Sequence, residues 1–136
     1  MHSIYKIECG GSVYYGYTSR DPIERIKEHE DTARGQKWKH NSKLYPLLVE
    51  MEYEFTWELV DKFESELQAL LTEILLISET PKALSLNLSK GGEGKDLVVK
   101  LRTNKQGDLE YRVVSRKKPK KKTFKARKRR RYRRKR

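Results

Sequence analysis

Ser3-Ile4-Tyr5-Lys6-Ile7-Glu8, then Cys9-Gly10-Gly11-Ser12, then Val13-Tyr14-Tyr15-Gly16-Tyr17, is the stretch on which the fold turns. The first run alternates with period two and reads as a strand. Gly10-Gly11 supplies the positive φ that a tight hairpin needs. The third run is rich in β-formers and reads as the return strand. The chain therefore opens with a β-hairpin carrying four tyrosines, Tyr5, Tyr14, Tyr15 and Tyr17.

Working outward, Asp21-Pro22 marks a helix start. Asp21 can cap free N–H groups, and Pro22 suits the first helical position. This helix is predicted from Pro22 to about Ala33, with Arg25 and His29 four apart on one face. Residues 34–41 are polar and loop-like. Ser42 is expected to open a short second helix with Leu44, Leu47, Leu48 and Met51 at helical spacing, and Pro46 is tolerated in its first turn. Phe55 to Val60 reads as a third strand. Glu64 to Ser78 reads as a third helix, with Leu67, Leu70, Leu71, Ile74 and Ile77 as its apolar stripe. Thr80-Pro81 ends it, and Gly91-Gly92-Glu93-Gly94 closes the unit. Two alternating runs follow, Leu97–Thr103 and Leu109–Val114, joined by a turn at 104–108 and read as a second hairpin.

Charge divides the chain. Of the 32 Lys and Arg residues, 16 lie in Arg116–Arg136, which has no acid. The remaining 16 bases face 19 acids, so residues 1–115 carry a formal −3 and the tail +16. The tail has only Phe124 and Tyr132 as large apolar residues and is expected to be disordered. Such an arm supplies nonspecific nucleic-acid affinity by counterion release, and it also has the composition of a nuclear targeting signal. No run approaches the ~18 apolar residues of a membrane span. The N-terminus reads as a strand and carries no signal-peptide core. A single cysteine, Cys9, excludes an internal disulfide and a multi-cysteine zinc site, and points to a reducing, intracellular setting: a host cytoplasm, or a nucleus where the host is eukaryotic.

Three features could carry chemistry. Glu73 sits in the apolar run Leu70–Ile77. It is either a solvent-facing residue at the helix edge or a carboxylate held for a hard cation. Period-two logic lets Tyr5 and Tyr14 share a face, either for packing or for proton transfer. Arg25 and His29 are either a solvated pair or a phosphate-facing clamp and proton carrier.

Taken in order, these residues resemble the GIY-YIG endonuclease superfamily. Ser3-Ile4-Tyr5 and Tyr14-Tyr15-Gly16 resemble its paired signature, with Ser3 in place of the first Gly and Tyr15 in place of the middle Ile. Arg25 with His29 resembles the Arg-x-x-x-His of its first helix. His40-Asn41-Ser42-Lys43-Leu44 resembles a stretch of phage homing members. Ala69-Leu70-x-x-Glu73-x-x-Leu76-Ile77 resembles the metal-binding helix, and Leu86-Asn87-x-x-x-Gly91-Gly92 its closing turn. The resemblance covers residues 1–94. The 95–115 extension and the 116–136 tail lie outside it.

The resemblance implies an α+β fold, a small three-stranded antiparallel sheet flanked by helices. It implies a metal-dependent DNA endonuclease similar to those of phages, large viruses and mobile elements; action on RNA in place of DNA is left open by the sequence. Glu73 would hold one Mg²⁺ or Mn²⁺, and Arg25 would neutralise charge on the phosphate. Tyr5 and Tyr14 would position and deprotonate water, their phenols lowered toward neutrality by a nearby cation or base. His29 would receive the proton and would fail at low pH, where it protonates. Asn87 would orient a helix end or a phosphate. Arg25, His40 and Lys43 would meet nucleic acid together with tail residues Lys117, Lys118, Lys120, Lys121, Lys122, Arg129, Arg130, Arg131, Arg133 and Arg134. The alternative is a noncatalytic nucleic-acid-binding or packaging protein on the same scaffold. The intact set Tyr5, Tyr14, Arg25 and Glu73 argues against it.

Overall fold

The computed structural model describes residues 1–36 and 41–116. Eight elements follow in order: β1 (His2–Cys9), β2 (Ser12–Thr18), α1 (Pro22–Arg34), α2 (Leu44–Glu50), β3 (Thr56–Phe63), α3 (Glu66–Glu79), β4 (Leu97–Thr103) and β5 (Leu109–Ser115). The first three strands form an antiparallel sheet in the order β2-β1-β3, and β4 pairs with β5 in a separate hairpin. The α+β architecture expected from the sequence is the one observed. The β1–β2 turn is made by Gly10 and Gly11 at φ 57° and 80°, as a two-residue hairpin requires.

Strand alternation sends β1 side chains to two different cores. Tyr5, Ile7 and Cys9 join Ile26 and Ala33 of α1, Leu44, Tyr45 and Leu48 of α2, and Leu86. Ile4 points the other way and is fully buried. Its cross-strand partner Tyr17 packs against Leu70 and Ile74 of α3 and Val99 of β4. Each buried aliphatic or aromatic side chain contributes about 1.5–3 kcal/mol of transfer free energy. The two sheet faces are thereby held by different helices.

The outer edge of β2 is closed by the chain that follows α3. Val13 N–H donates to Leu84 O and Leu86 N–H donates to Val13 O, both at 2.8 Å. This contact satisfies edge groups that would otherwise stand open to pairing. The second hairpin joins the same body. Val99 N–H donates to Gly92 O at 2.7 Å and Gly94 N–H to Leu97 O at 2.9 Å. At the start of α3, the buried Glu66 carboxylate accepts from Asp96 N–H at 2.9 Å and Leu97 N–H at 3.3 Å.

Element ends differ from the sequence reading where side chains outside the periodic pattern decide them. The helix expected from Ser42 begins at Leu44, because the Asn41 carboxamide accepts from both Lys43 N–H and Leu44 N–H at 2.9 Å. The helix expected from Glu64 begins at Glu66, with Ser65 capping Gln68 N–H. The third strand runs on to Phe63 instead of stopping at Val60. A register shift between Ile4 and Tyr5 leaves Val60 unpaired, as in a β-bulge. Residues 56–62 are exposed throughout, so no hydrophobic alternation marked the extra length.

Glu66 ties α3 to the hairpin with no counterpart elsewhere in the sequence pattern. Glu66→Ala should lower stability by about 1–3 kcal/mol, because two half-buried N–H groups lose a buried acceptor. Glu66→Gln keeps a carbonyl oxygen and should recover most of the loss. Urea denaturation of the full chain measures both, and equal losses in the two variants would contradict the assignment.

Candidate active site

Gly16 faces Tyr5 directly in the β1–β2 register. A Cβ built on Gly16 would lie 2.2 Å from Tyr5 Cζ and 2.3 Å from its hydroxyl oxygen. Only a residue without a side chain lets the phenol lie across β2. The ring then reaches α1, where the Tyr5 hydroxyl is 2.6 Å from His29 Nε2. His29 Nδ1 lies 2.9 Å from the Tyr45 hydroxyl on α2. Tyr5 and His29 are each 1% exposed. A neutral imidazole has one donor and one acceptor nitrogen, and two phenols occupy both.

Tyr14 shares this face and stays partly exposed. Its ring centroid is 6.2 Å from that of Tyr5 and 5.3 Å from that of His29, edge-on to the imidazole. Arg25, one helical turn before His29, donates from Nη1 to Glu28 Oε2 at 2.9 Å. Glu28 also pairs with Arg20. This carboxylate fixes the guanidinium beside the phenols.

Burial dominates the electrostatics. It pushes the Tyr5 phenol well above its ordinary value, with Tyr14 adding and Arg25 opposing. It pushes Tyr14 up to about 12, again against Arg25. It drives His29 down to about 3, helped by Arg25 and opposed by Glu28. For Arg25, desolvation alone would lower the value. The neighbouring phenols and Glu28 outweigh it and hold the group raised. The protein's own groups raise the phenols instead of lowering them, because Arg25 is too weak a counterweight to burial. His29 also stays neutral far below the pH at which an exposed histidine would protonate.

Glu73 is buried on α3, so the solvent-facing reading fails. Its Oε1 accepts from Gly92 N–H at 2.9 Å. A Cβ on Gly91 would lie 3.0 Å from the same oxygen, and Gly91 holds φ 84°, a geometry suited to glycine. Desolvation, with the Glu93 charge adding and the Gly92 N–H opposing, raises Glu73 to about 7. Its charge reaches Tyr14 and Tyr17. Among the described residues no three His, Cys, Asp or Glu side chains converge on one point. A cation held by Glu73 would therefore take fewer than three such ligands and keep most of its water, as Mg²⁺ does.

Asn87 does not face the site with its amide. Its Oδ1 accepts from Tyr15 N–H at 3.0 Å and its Nδ2 donates to Tyr15 O at 2.8 Å. It extends the edge contact of β2 and fixes the backbone next to Tyr14, so its orienting role is exerted on the strand. Lys43 is exposed at the start of α2. His40 and the tail residues from Lys117 onward lie outside the described residues.

Sequence reasoning missed Tyr45, Glu28 and Glu66. Tyr45 had a signal: it sits three before Leu48 on an apolar stripe, and a buried phenol needs a hydrogen-bond partner. Glu28 had one as well, three residues after Arg25.

The neutral burial of His29 has a pH consequence. The unfolded histidine takes up its proton near 6.5 and the folded one only near 3, so between these values the unfolded state holds more protons. Stability from this group therefore falls as pH drops, by about 2 kcal/mol between pH 7 and 5. Glu73, raised, acts with the opposite sign in the same window. The difference between wild type and His29→Gln isolates the histidine. Chemical denaturation at pH 5, 6 and 7 should show that the variant lacks this fall. Parallel pH profiles for the two proteins would contradict it.

No family model matches the chain, and no curated protein or solved structure matches it significantly.

Proposed function

We propose that the protein is a metal-dependent phosphodiesterase acting on DNA, with chemistry at Tyr5, Tyr14, Arg25, His29 and Glu73. The observation that carries this reading is the Tyr5–His29 hydrogen bond at 2.6 Å, buried beside an Arg whose orientation Glu28 fixes. A structural core has no need of a charged guanidinium next to two phenols and an imidazole.

Each residue has a role that its environment supports. Tyr14 is the partly exposed phenol, so it is the one placed to touch the attacking water. Tyr5 is inaccessible and acts through contact with its neighbours. With Nε2 as the acceptor, His29 receives the Tyr5 hydrogen bond and donates Nδ1–H to Tyr45, which orients the phenol while the imidazole stays neutral. Arg25 stabilises charge growing on the non-bridging phosphate oxygens. Glu73 would hold the Mg²⁺ or Mn²⁺. When bound, that cation supplies positive charge that polarises the scissile phosphate and favours ionisation of nearby phenols. A carboxylate raised by desolvation, with no cationic side chain paired to it among the described contacts, fits such a ligand. The +16 tail supplies attraction to the polyanion that a net-negative body lacks.

The test is cleavage of supercoiled plasmid in Mg²⁺ by the full chain, followed in a single turnover. Glu73→Gln should abolish cleavage while DNA affinity changes less than about threefold, since the change removes only the charge a hard cation needs. Tyr14→Phe should slow cleavage by roughly 10²-fold or more, in line with lost acid–base catalysis. Wild-type protein that binds DNA and never cuts it would favour the noncatalytic binding or packaging protein.

A further inference from the structure

The second hairpin does more than extend the fold. Together with the second half of α3 and the 80–91 loop it encloses an open groove of about 870 Å³. The floor is aliphatic, built by Ile74, Ile77, Val99 and Leu101. Five cations line it, Lys43, Lys82, Lys90, Lys100 and Arg102, with no acid among the lining residues. Arg102 leans toward Glu110 at 3.8 Å, an exposed contact, while the four lysines are exposed. Such one-signed linings focus counter-charge from solution.

One end of the groove meets the candidate active site. Gly91 and Asn87 line it. A Cβ on Gly91 would lie 3.0 Å from both Glu73 Oε1 and Ile77 Cδ1. The groove floor and the candidate metal carboxylate are therefore one residue apart.

We propose that this groove seats a phosphodiester backbone leading away from the scissile bond. Its phosphates meet Lys43, Lys82, Lys90 and Lys100, and its sugars lie on the aliphatic floor. The occupant follows from the lining. Cations call for an anionic polymer, which excludes this chain's own tail by like charge. The floor has no aromatic ring on which a base could stack, and stacking platforms define base-binding grooves. What remains is a backbone track, and its position beside Glu73 selects nucleic acid over an acidic peptide. The proposal deepens the nuclease reading and rests on it for the identity and direction of the strand.

The test uses the full chain in excess EDTA, so cleavage plays no part. Affinity for labelled single-stranded and duplex 30-mers is measured against salt for wild type and for Lys82→Ser/Lys90→Ser/Lys100→Ser. A control carries Lys27→Ser/Lys62→Ser/Lys105→Ser, exposed lysines outside the groove. The groove variant should flatten the slope of log K against log salt by roughly 2–3 and weaken binding at least about tenfold at low salt. The control should move the slope by less than about 1. The strand form with the larger loss identifies the track as single-stranded or duplex. Equal effects in the two variants, no effect in the groove variant, or the same loss with a polyglutamate probe would overturn the proposal. Groove-dependent binding without plasmid cleavage in Mg²⁺ would sink the nuclease reading alone. Cleavage with an unmoved salt slope would sink the groove alone.

Discussion

Everything in the candidate site depends on a cross-strand vacancy. Gly16 has no side chain, and so Tyr5 can lie across β2 and place its hydroxyl on His29. That hydrogen bond fixes α1 against the sheet at the turn that carries Arg25. Tyr45 reaches the far side of the same imidazole and ties in α2. Three elements distant in sequence thus converge on one histidine ring. Because the ring is buried and doubly bonded, its neutral form is built into the fold. An alanine at Gly16 would have to displace the phenol, and packed interiors relax only partly around such an intrusion.

The rest of the fold protects this arrangement. Asn87 and the 84–86 backbone close the β2 edge, which holds Tyr14 in place on the shared face. Glu66 and Gly92 bind the second hairpin to α3, and α3 carries Glu73. The opposite sheet face, through Ile4 and Tyr17, is covered by α3 and β4. The candidate carboxylate and the candidate phenols therefore come from elements that pack on different faces, and β1 and β2 are common to both. The two cores cannot shift independently without changing the distance between Glu73 and Tyr14.

Much of this was legible because it lies in local patterns. The Gly10-Gly11 turn, the Asp21-Pro22 helix start and the stripe of α3 all act within a few residues, and the elements they announce are present. Strand alternation also announced that Tyr5 and Tyr14 face the same way. What could not be read was set by long-range contacts. The direction of the phenol shifts depends on how deeply a ring is buried, which no window of sequence reports. The Asn87 amide serves Tyr15 across 72 positions. Tyr45 depends on the packing angle of α1 on α2. The last residues of β3, 61–63, escaped because the strand is solvent-facing along nearly its whole length, and periodicity is silent where neither face is buried.

The central claim is that Gly16 seats Tyr5 against a permanently neutral His29. The most direct measurement is ¹⁵N NMR of the imidazole nitrogens of the full chain from pH 8 to 4, with His29 assigned by comparison with His29→Gln. The account predicts one protonated and one accepting nitrogen for His29, unchanged across the range. In Gly16→Ala the same ring should become titratable as Tyr5 is pushed off it. A wild-type His29 that protonates with a midpoint near the ordinary ~6.5, or a Gly16→Ala protein with an unaltered imidazole signal, would contradict the account.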